Sequence, residues 1–417
     1  MSSFTPNISL LLTPADDTTM TFKEWRVGIN GEGNNSNMAK IDAKFGDVDS
    51  RLDDITNEHL APPATITIGC IDSRHWSVVD YCCPADSIVD DGVVFQTAVN
   101  ALPPQGGKIV ILEGEYTIKS RLLCNKSVVF EGMGEGTILN FNEGAYIEST
   151  YTTGYTPGRS LSISFQDLKI NFVSGTHSYD SHEGISFVHG NVSDDPSRRK
   201  INMSGCVLTF TNNNFVRCAN VFNGCDYVKI TNSSISLINN AVPINNSYTP
   251  RINLVYDGHI LSGDPCHYSE ISNCDILCRG KVSDSYKAWA CISKCSGTVM
   301  SNCNIALETC GSISEGLDII DGVYLVSMSN CNIKHSGTSD VYMGLNIFNG
   351  NVYSSVGGVT YFPAKSIIVN NYFYNHTTND IKVGLSGNGA ATITGNRTRF
   401  SCVYTSAIEG TVKINNI

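Results

Sequence analysis

A two-part repeat runs from about Glu183 to the end of this 417-residue chain. Each copy begins with an apolar pair, one polar residue and usually Gly, and continues as an alternating strand that ends at Asn. The first part recurs at intervals of roughly 28 to 37 residues, at His189, Asn223, Asp257, Ser293, Asp321, Asn349 and Ser386. The second part recurs at Asn212, Asn232, Asn273, Asn302, Asn330, Asn370 and Gly395. Because such a unit cannot bury its own apolar face, it must stack on its neighbours, and the repeat predicts a solenoid.

The spacing of apolar residues identifies the kind of solenoid. Val326, Met328 and Ile333 alternate with polar residues around Asn330. Period two with β-branched residues indicates short strands joined by tight turns, and Asn tolerates the left-handed backbone that such turns require. Since parallel crossovers are right-handed, the fold predicted is a right-handed single-stranded parallel β-helix. We expect Asn302 and Asn330 to stack on each other.

The residue after each turn Asn forms a second column, made of Ser233, Cys274, Cys303 and Cys331. An Ile two residues further along the strand shares its parity, so the column should point inward. The 16 cysteines of the chain are therefore predicted to be buried, reduced thiols rather than a disulfide framework. No basic-then-apolar segment opens the chain, and no apolar run approaches the ~20 residues that a membrane helix needs. We expect synthesis in a reducing cytosol and no membrane insertion.

Charge and motif spacing exclude several partners. The formal net charge is −11 without a basic block, which argues against binding of nucleic acid. No Cys or His pairs have the spacing of a zinc site. We expect neither a metal nor another cofactor.

The first 60 residues differ from the rest of the chain, and Pro62-Pro63 marks their boundary. A short amphipathic helix ending at Gly31 is predicted, followed by a helix with the a/d heptad rhythm. This region is predicted to mediate assembly into a homotrimer, although one helix packing on a neighbouring domain would give the same pattern. Residues 61–84 are predicted to form a linker and residues 85–417 the β-helix. The apolar stripe consists of Met38, Ile41, Phe45, Val48, Leu52 and Ile55.

Three segments carry a resemblance to a known family. The stretch VDDGVVFQTAVNALPPQGGKIVILEGEYTI, from Val89 to Ile118, resembles the opening of the pectate-lyase-like superfamily found in phage tailspikes, and Ser127 to Phe141 resembles its next coils. The resemblance implies that Asp90 or Asp91 caps a helix, Val93–Ala101, which closes the first coil. The segment from Thr21 to Ile55 is similar to the virion-attachment starts of phage tail fibres.

What the resemblance implies is a virion protein of a phage tail, either a tailspike or a tail fibre. Its N-terminus would join other tail or baseplate proteins, and its β-helix would bind a host surface polysaccharide. Since hydrolases, lyases and noncatalytic adhesins share this scaffold, the question of cleavage stays open. Two alternatives stay open as well: a secreted polysaccharide lyase or hydrolase, and a noncatalytic structural fibre or baseplate component.

Three long copies of the repeat indicate where a glycan would bind. The insertions Asn191–Cys206, His259–Ser272 and Asn351–Val369 follow the same anchor, so we expect them on one side of the β-helix, where loops on a rigid scaffold carry function. The middle insertion supplies the candidate catalytic residues Asp264, His267 and Glu270. Carboxylates and aromatic rings also suit sugar binding, although ordinary surface loops contain the same residues. The candidate glycan-binding residues are Asp194, Arg198, Tyr268, Asp318, Tyr353 and Tyr361.

Overall fold

The fold is taken from a computed structural model of the chain, which divides into two compact units, Met1–Pro63 and Ala64–Ile417. All described residues belong to the second unit, so the predicted N-terminal helices and their apolar stripe lie outside them. The described residues are 64–70, 79–83, 90–142, 144–150, 161–174, 181–188, 199–213, 218–225, 227–240, 251–256, 268–280, 289–294, 297–308, 314–320, 325–335, 341–348, 365–374, 379–384, 390–397, 403–405 and 411–415.

Within these residues the structure has one helix, α1 (Gly92–Ala101), and three long β-sheets. Sheet A contains β1 (Thr65–Cys70), β2 (Tyr81–Cys83), β3 (Gly107–Ile111), β6 (Val128–Glu131), β9 (Leu161–Gln166), β12 (Arg199–Ser204), β15 (Tyr227–Thr231), β18 (Tyr268–Ser272), β21 (Gly297–Ser301), β24 (Leu325–Ser329), β27 (Lys365–Val369), β30 (Ala390–Thr394) and β32 (Thr411–Asn415). Sheet B contains β4 (Gly114–Ile118), β7 (Thr137–Phe141), β10 (Lys169–Val173), β13 (Val207–Asn212), β16 (Ser234–Asn239), β19 (Asp275–Gly280), β22 (Asn304–Glu308), β25 (Asn332–His335) and β28 (Tyr372–Tyr374). Sheet C contains β5 (Leu122–Leu123), β8 (Ile147–Thr150), β11 (Ser181–Val188), β14 (Cys218–Asn223), β17 (Arg251–Tyr256), β20 (Trp289–Lys294), β23 (Ser314–Ile320), β26 (Val341–Phe348), β29 (Asn379–Gly384) and β31 (Val403–Thr405).

From β3 to β30, successive strands visit the three sheets in turn, and each pairs in parallel with the strand one coil away. For example, β15 in sheet A is followed by β16 in sheet B and β17 in sheet C, and the chain then returns to sheet A as β18. Neighbouring coils are therefore separated by about 4.8 Å, the ordinary spacing of paired strands. This arrangement confirms the predicted parallel β-helix.

The turns from sheet A to sheet B form a column of left-handed residues. Asn302 donates its backbone N–H to the Ser329 carbonyl at 3.0 Å, and its side-chain amide donates to Asn273 Oδ1 at 3.3 Å. The predicted stack of turn residues is thereby confirmed. Residues of this column with positive φ are Asp167 (51°), Gly205 (65°), Asn232 (50°), Asn273 (54°), Asn302 (54°), Asn330 (53°), Asn370 (55°) and Gly395 (66°).

Asn212 does not belong to the turn column. Gly205 is the turn residue of its coil, whereas Asn212 ends β13, pairs in register with Asn239 and is fully buried. Its side-chain amide donates to Asn239 Oδ1 at 3.2 Å, and its own Oδ1 accepts from Ser174. The prediction that Asn212 is the turn residue was wrong: Gly and Asn both adopt positive φ, and in this coil Gly205 takes that position.

The first part of the repeat was aligned out of register among β14, β17 and β20, by one residue at the first step and by two at the second. Asn223 pairs with Tyr256, and Tyr256 pairs with Lys294, in place of the predicted match to Asp257 and Ser293. The adjacent residues Val221 and Phe222 are both fully buried, as are Leu254 and Val255 at 0% and 2% exposure. Since two consecutive apolar residues point inward at this corner, alternation does not fix the register there.

The column after the turn points into the core, as predicted. Ser233, Cys274, Cys303 and Cys331 are all buried. Two of these side chains accept a hydrogen bond from a backbone N–H of the preceding coil. Ser233 Oγ accepts from the Cys206 N–H at 3.2 Å, and Cys331 Sγ accepts from the Cys303 N–H at 3.5 Å. The three cysteines of this column are unbridged, as are six others among the described residues: Cys82, Cys83, Cys124, Cys206, Cys225 and Cys278.

Apolar side chains stacked coil upon coil fill the rest of the interior. Phe141 and Phe172 stack with their ring centroids 4.7 Å apart, and Phe130 and Phe165 stack at 5.4 Å. Full burial of each such side chain contributes about 1.5–3 kcal/mol. The strand pairing at 4.8 Å thus also sets the spacing of the aromatic rings in the core.

The helix α1 packs on the first coil, close to the predicted Val93–Ala101. Phe95 is buried and meets Tyr116 edge-on at 5.6 Å, and Asp90 Oδ1 accepts from the Gly92 and Lys119 N–H groups at 2.8 and 2.9 Å. The side chain of Asp90 therefore caps the helix start, whereas that of Asp91 makes no capping hydrogen bond there. Sheet A also includes β1 and β2, which lie inside the segment 61–84 that was predicted to be a linker.

Candidate functional site

The long connections share one corner of the β-helix. Residues 189–198 link β11 to β12, residues 257–267 link β17 to β18, and residues 349–364 link β26 to β27, so each passes from sheet C to sheet A. The turns from sheet A to sheet B are two residues long in the same coils, as at Asn232-Ser233. The insertions therefore leave from a common side of the fold, between sheets C and A.

Most of the predicted site residues fall within these connections. They lie outside the described residues, and their roles stay predictions: Asp194, Arg198, Asp264, His267, Tyr353 and Tyr361.

Glu270 lies in a strand rather than in a loop. The insertion predicted to run to Ser272 ends before β18, where Ser269 and Ile271 are both fully buried. The intervening Glu270 points outward by alternation, with 29% of its side chain exposed. The prediction counted strand residues as insertion because its boundaries came from the spacing between the repeat anchors.

Two residues of the neighbouring coil hold the Glu270 carboxylate. The Tyr227 hydroxyl donates to Oε2 at 3.0 Å, and Lys229 Nζ lies 3.1 Å from Oε1. Both come from β15, in which Lys229 is in register with Glu270. A carboxylate offers about four acceptor positions, so two remain for donors such as sugar hydroxyls. A half-exposed ion pair of this kind contributes only about 0–1 kcal/mol to folding.

Polar side chains continue from Glu270 along the outer face of sheet A. Asn202 is in register with Lys229 and donates through Nδ2 to Ser162 Oγ at 3.0 Å and Ser164 Oγ at 3.3 Å. Ser164, Asn202, Lys229 and Glu270 thus form a column over four coils, about 14 Å long at the strand spacing. We call this column, with Tyr227, the sheet A strip. Sequence reasoning missed its other members, since they become neighbours of Glu270 only through the strand register.

The strip suits binding more directly than hydrolysis. The residues in register with Glu270 are Lys229 and Val299, and neither carries a carboxyl group. Glycosidases use two carboxyl groups about 5–9.5 Å apart. A catalytic pair would therefore need a partner from the connection that carries Asp264 and His267.

Tyr268 and Asp318 belong to different sheets. Tyr268 opens β18 in sheet A and is in register with Tyr227 and Gly297. Asp318 lies in β23 of sheet C, next to Asn346 as predicted, but its other neighbour is Cys291 instead of Ala290. The register between β20 and β23 shifts after Cys291, and such irregularities cannot be seen in an alternating pattern.

A second polar cluster lies in sheet C near the start of the β-helix. Arg121 Nη1 donates to both oxygens of the buried Glu148 at 3.1 Å, and the Tyr146 hydroxyl donates to Glu148 Oε2 at 2.7 Å. The pKa of Arg121 is raised by its contacts with Tyr146 and Glu148, and burial raises the pKa of Tyr146. Because both charges are mutually satisfied, the cluster ties β5 to β8 and is best interpreted as structural.

Two of the described cysteines, Cys124 and Cys278, are poor nucleophiles. Burial raises the pKa of the Cys124 and Cys278 thiols to about 12, so at neutral pH they carry little of the nucleophilic thiolate. Within the described residues, no three His, Cys, Asp or Glu side chains lie close enough to hold a metal ion. No helix in this part of the chain has the length and apolar character to cross a membrane.

Comparisons with known proteins add little to this geometry. No protein-family model matches the chain, and no curated protein matches it. Among solved structures, it is similar to ORF18 of Geobacillus virus E2, with a TM-score of 0.37 and 12% identity. That match covers 89% of this chain and 64% of the Geobacillus virus protein, so the chain spans less than two thirds of that protein's length. A likeness at this level carries no functional argument.

Proposed function

We propose that this chain is a phage tail protein, a tailspike or tail fibre, that binds a host surface polysaccharide on the side bordered by sheets A and C. The observation that carries the proposal is the position of Glu270. Its carboxylate is held outward by Tyr227 and Lys229, and the connection that precedes its strand carries Asp264 and His267.

The sheet A strip has the chemistry of a saccharide site. A polysaccharide chain presents hydroxyl groups that both donate and accept, and the strip offers carboxylate, amide, hydroxyl and ammonium groups in a row. Tyr353 and Tyr361 lie in a connection at the same corner, and aromatic rings there would pack against the apolar faces of sugars. Loops on a rigid scaffold are common locations of such sites.

The test uses the full-length protein and envelope polysaccharide from a panel of candidate hosts. We expect the protein to bind at least one of these polysaccharides. Glu270→Ala should weaken that binding about tenfold, which is equivalent to about 1.4 kcal/mol. Glu131→Ala is a matched control: Glu131 is ion-paired to Lys108 on the same sheet and is 32% exposed, close to the 29% of Glu270. Equal binding by the two variants would contradict the proposed site.

Product analysis distinguishes binding from cleavage. Size-exclusion analysis of the polysaccharide after incubation detects shortened chains, and absorbance near 235 nm detects the unsaturated ends that a lyase leaves. Shortened chains with unsaturated ends would identify a lyase, and shortened chains without them a hydrolase. Intact polysaccharide that stays bound would identify a noncatalytic adhesin, and absence of binding to every host would favour a structural fibre or baseplate component.

Assembly is a separate part of the proposal. We propose that residues 1–60 attach the protein to other tail or baseplate proteins and that the apolar stripe joins three copies. Replacing Ile41, Val48 and Leu52 by Ser removes three apolar side chains, each of which contributes about 1.5–3 kcal/mol when buried. The triple variant should sediment as a monomer. A trimer of unchanged stability would show that the stripe plays no part in assembly.

A further inference from the structure

The outer face of sheet B carries a groove of about 670 Å³ that is separate from the sheet A strip. It extends over five coils, from β16 to β28, which is about 19 Å at the strand spacing. One row of its lining is a register column of four polar residues that ends at an aromatic ring: Ser234, Asp275, Asn304, Asn332 and Tyr372.

The middle of this row is a hydrogen-bonded amide ladder. Asn332 Nδ2 donates to Asn304 Oδ1 at 2.9 Å, and Asn304 Nδ2 donates to Asp275 Oδ1 at the same distance. All three side chains are exposed. Each bond uses one of the two N–H donors of an amide, and the oxygens keep further lone pairs. The ladder therefore holds donors and acceptors toward solvent at every coil in fixed positions.

The second row of the groove consists of Ser236, Leu277, Ala306 and Lys334, with its two apolar residues in the middle. Leu277 and Ala306 lie in register, two residues beyond Asp275 and Asn304 on the same faces of their strands. Ala306 adds little volume to the surface, which leaves a depression beside the ladder. The Tyr372 ring, 41% exposed, lies at one end of the groove.

We propose that this groove binds an extended neutral or amino polysaccharide, laid along the axis of the β-helix. Sugars require paired donors and acceptors for their hydroxyl groups and an aromatic or aliphatic surface for their C–H faces, and the groove supplies both. Because the lining repeats at each coil and is open along the axis, it fits a chain rather than a chain end. The net charge of −11 disfavours a polyanion, and Asp275 and Lys334 place one charge of each sign in the groove.

A second copy of this chain fits the groove less well. A stable protein interface buries about 800 Å² on each partner and has an apolar centre. Here the row of exposed side chains is mostly amide, hydroxyl and carboxylate, and Leu277 and Ala306 form a narrow floor. The site does not depend on the sheet A strip, so the inference goes beyond the proposed function.

The experiment uses the full chain on a printed array of neutral, amino and acidic oligosaccharides of increasing length. We expect binding to long neutral or amino glycans, with affinity rising with chain length. The combined substitution Asn304→Ala and Tyr372→Ala should weaken that binding at least about tenfold.

Sheet B supplies a matched control. Asn171 Nδ2 donates to Asn140 Oδ1 at 2.7 Å, and Asn140 Nδ2 donates to Glu115 Oε1 at 2.8 Å. This second ladder has the same chemistry on the same sheet but lies outside the groove. Asn171→Ala should leave glycan binding unchanged. Circular dichroism of all variants checks that the coils remain folded.

Three results would overturn the inference: no binding to neutral or amino glycans, equal loss in the groove and Asn171 variants, or a change in oligomeric state confined to the groove variant. The last would assign the groove to a second copy of the chain. The Glu270→Ala variant separates the two sites. If Glu270→Ala abolishes glycan binding and the groove variant does not, this inference is overturned and the proposed function is supported. If the groove variant abolishes binding and Glu270→Ala does not, this inference is supported and the proposed site is overturned.

Discussion

Asn371 occupies the inward column where one side chain satisfies two backbone groups of the preceding coil. Its Oδ1 accepts from the Cys331 N–H at 2.8 Å, and its Nδ2 donates to the Met328 carbonyl at 3.0 Å and to Asn396 Oδ1 at 3.0 Å. The residue is 1% exposed, so water cannot replace these partners without opening the coil. Asn371→Ala leaves one buried donor and one buried acceptor unpaired, at about 1–3 kcal/mol each.

The expected loss for Asn371→Ala is therefore about 2–6 kcal/mol. Asn371→Ser should lose about half as much, because a hydroxyl in this column can accept the backbone N–H. Ser233 shows this directly, since its Oγ accepts from the Cys206 N–H at 3.2 Å. In a solenoid each coil contacts only its neighbours, so the loss should be local.

Hydrogen exchange followed by mass spectrometry measures that local loss. Peptides covering 325–335 and 365–374 should exchange about 30-fold to 10⁴-fold faster in the Ala variant, since each 1.4 kcal/mol is a factor of ten. Peptides covering 161–174 should exchange as in the unchanged protein. Identical exchange in the Ala variant, or equal effects of Ala and Ser, would refute the assignment of these hydrogen bonds.

Three further predictions concern the first coils. Gly106→Ala should prevent stable folding, because φ is +95° and a Cβ would lie 1.9 Å from the Ser127 carbonyl oxygen. Gly134 has a similar φ of +90° but no atom within 4 Å of a Cβ, so Gly134→Ala should cost only about 1–2 kcal/mol of stability. Chemical denaturation of the two variants measures the difference. Although burial opposes ionisation of Asp90, backbone hydrogen bonds from Lys119 and Gly92 leave its pKa below the usual 3.8. The ionised Asp90 therefore stabilises the fold fully above pH 3.8, and this stabilisation is lost as the pH falls through the lowered pKa. Asp90→Asn should reduce the loss of stability at acidic pH in a stability–pH curve. Alkylation at about pH 8 with peptide mapping should modify the exposed Cys82 before the buried thiols, and equal rates would contradict their burial.

The sequence predicted the parts of the fold that rest on strong local chemistry. Positive φ at Asn302 and Asn330 and burial of Cys303 follow from the turn preference of Asn and from period-two alternation. The pattern assumes that buried and exposed residues alternate along a strand, and this assumption fails at Val221 and Phe222, which are adjacent and both buried. The predicted register was lost at that corner for this reason.

The candidate sites were harder to predict because they are properties of the register. Glu270 was recognised as a functional candidate, but its partner Lys229 is 41 residues earlier in the chain and becomes a neighbour only when β15 and β18 pair. The amide ladder joins Asp275 to Asn304 and Asn304 to Asn332 in the same way. Each residue alone is an ordinary exposed polar position.

The two-residue turns between sheets A and B have an evolutionary consequence. A left-handed residue such as Asn273 or Asn302 directly follows one strand, and a single further residue precedes the next strand. That further residue belongs to the inward column and is packed in the core. An insertion there would displace a buried side chain in two coils at once. Changes in chain length are therefore confined to the other corners or to duplication of a whole coil, and a lineage of such proteins can vary its long connections while this tight edge stays constant.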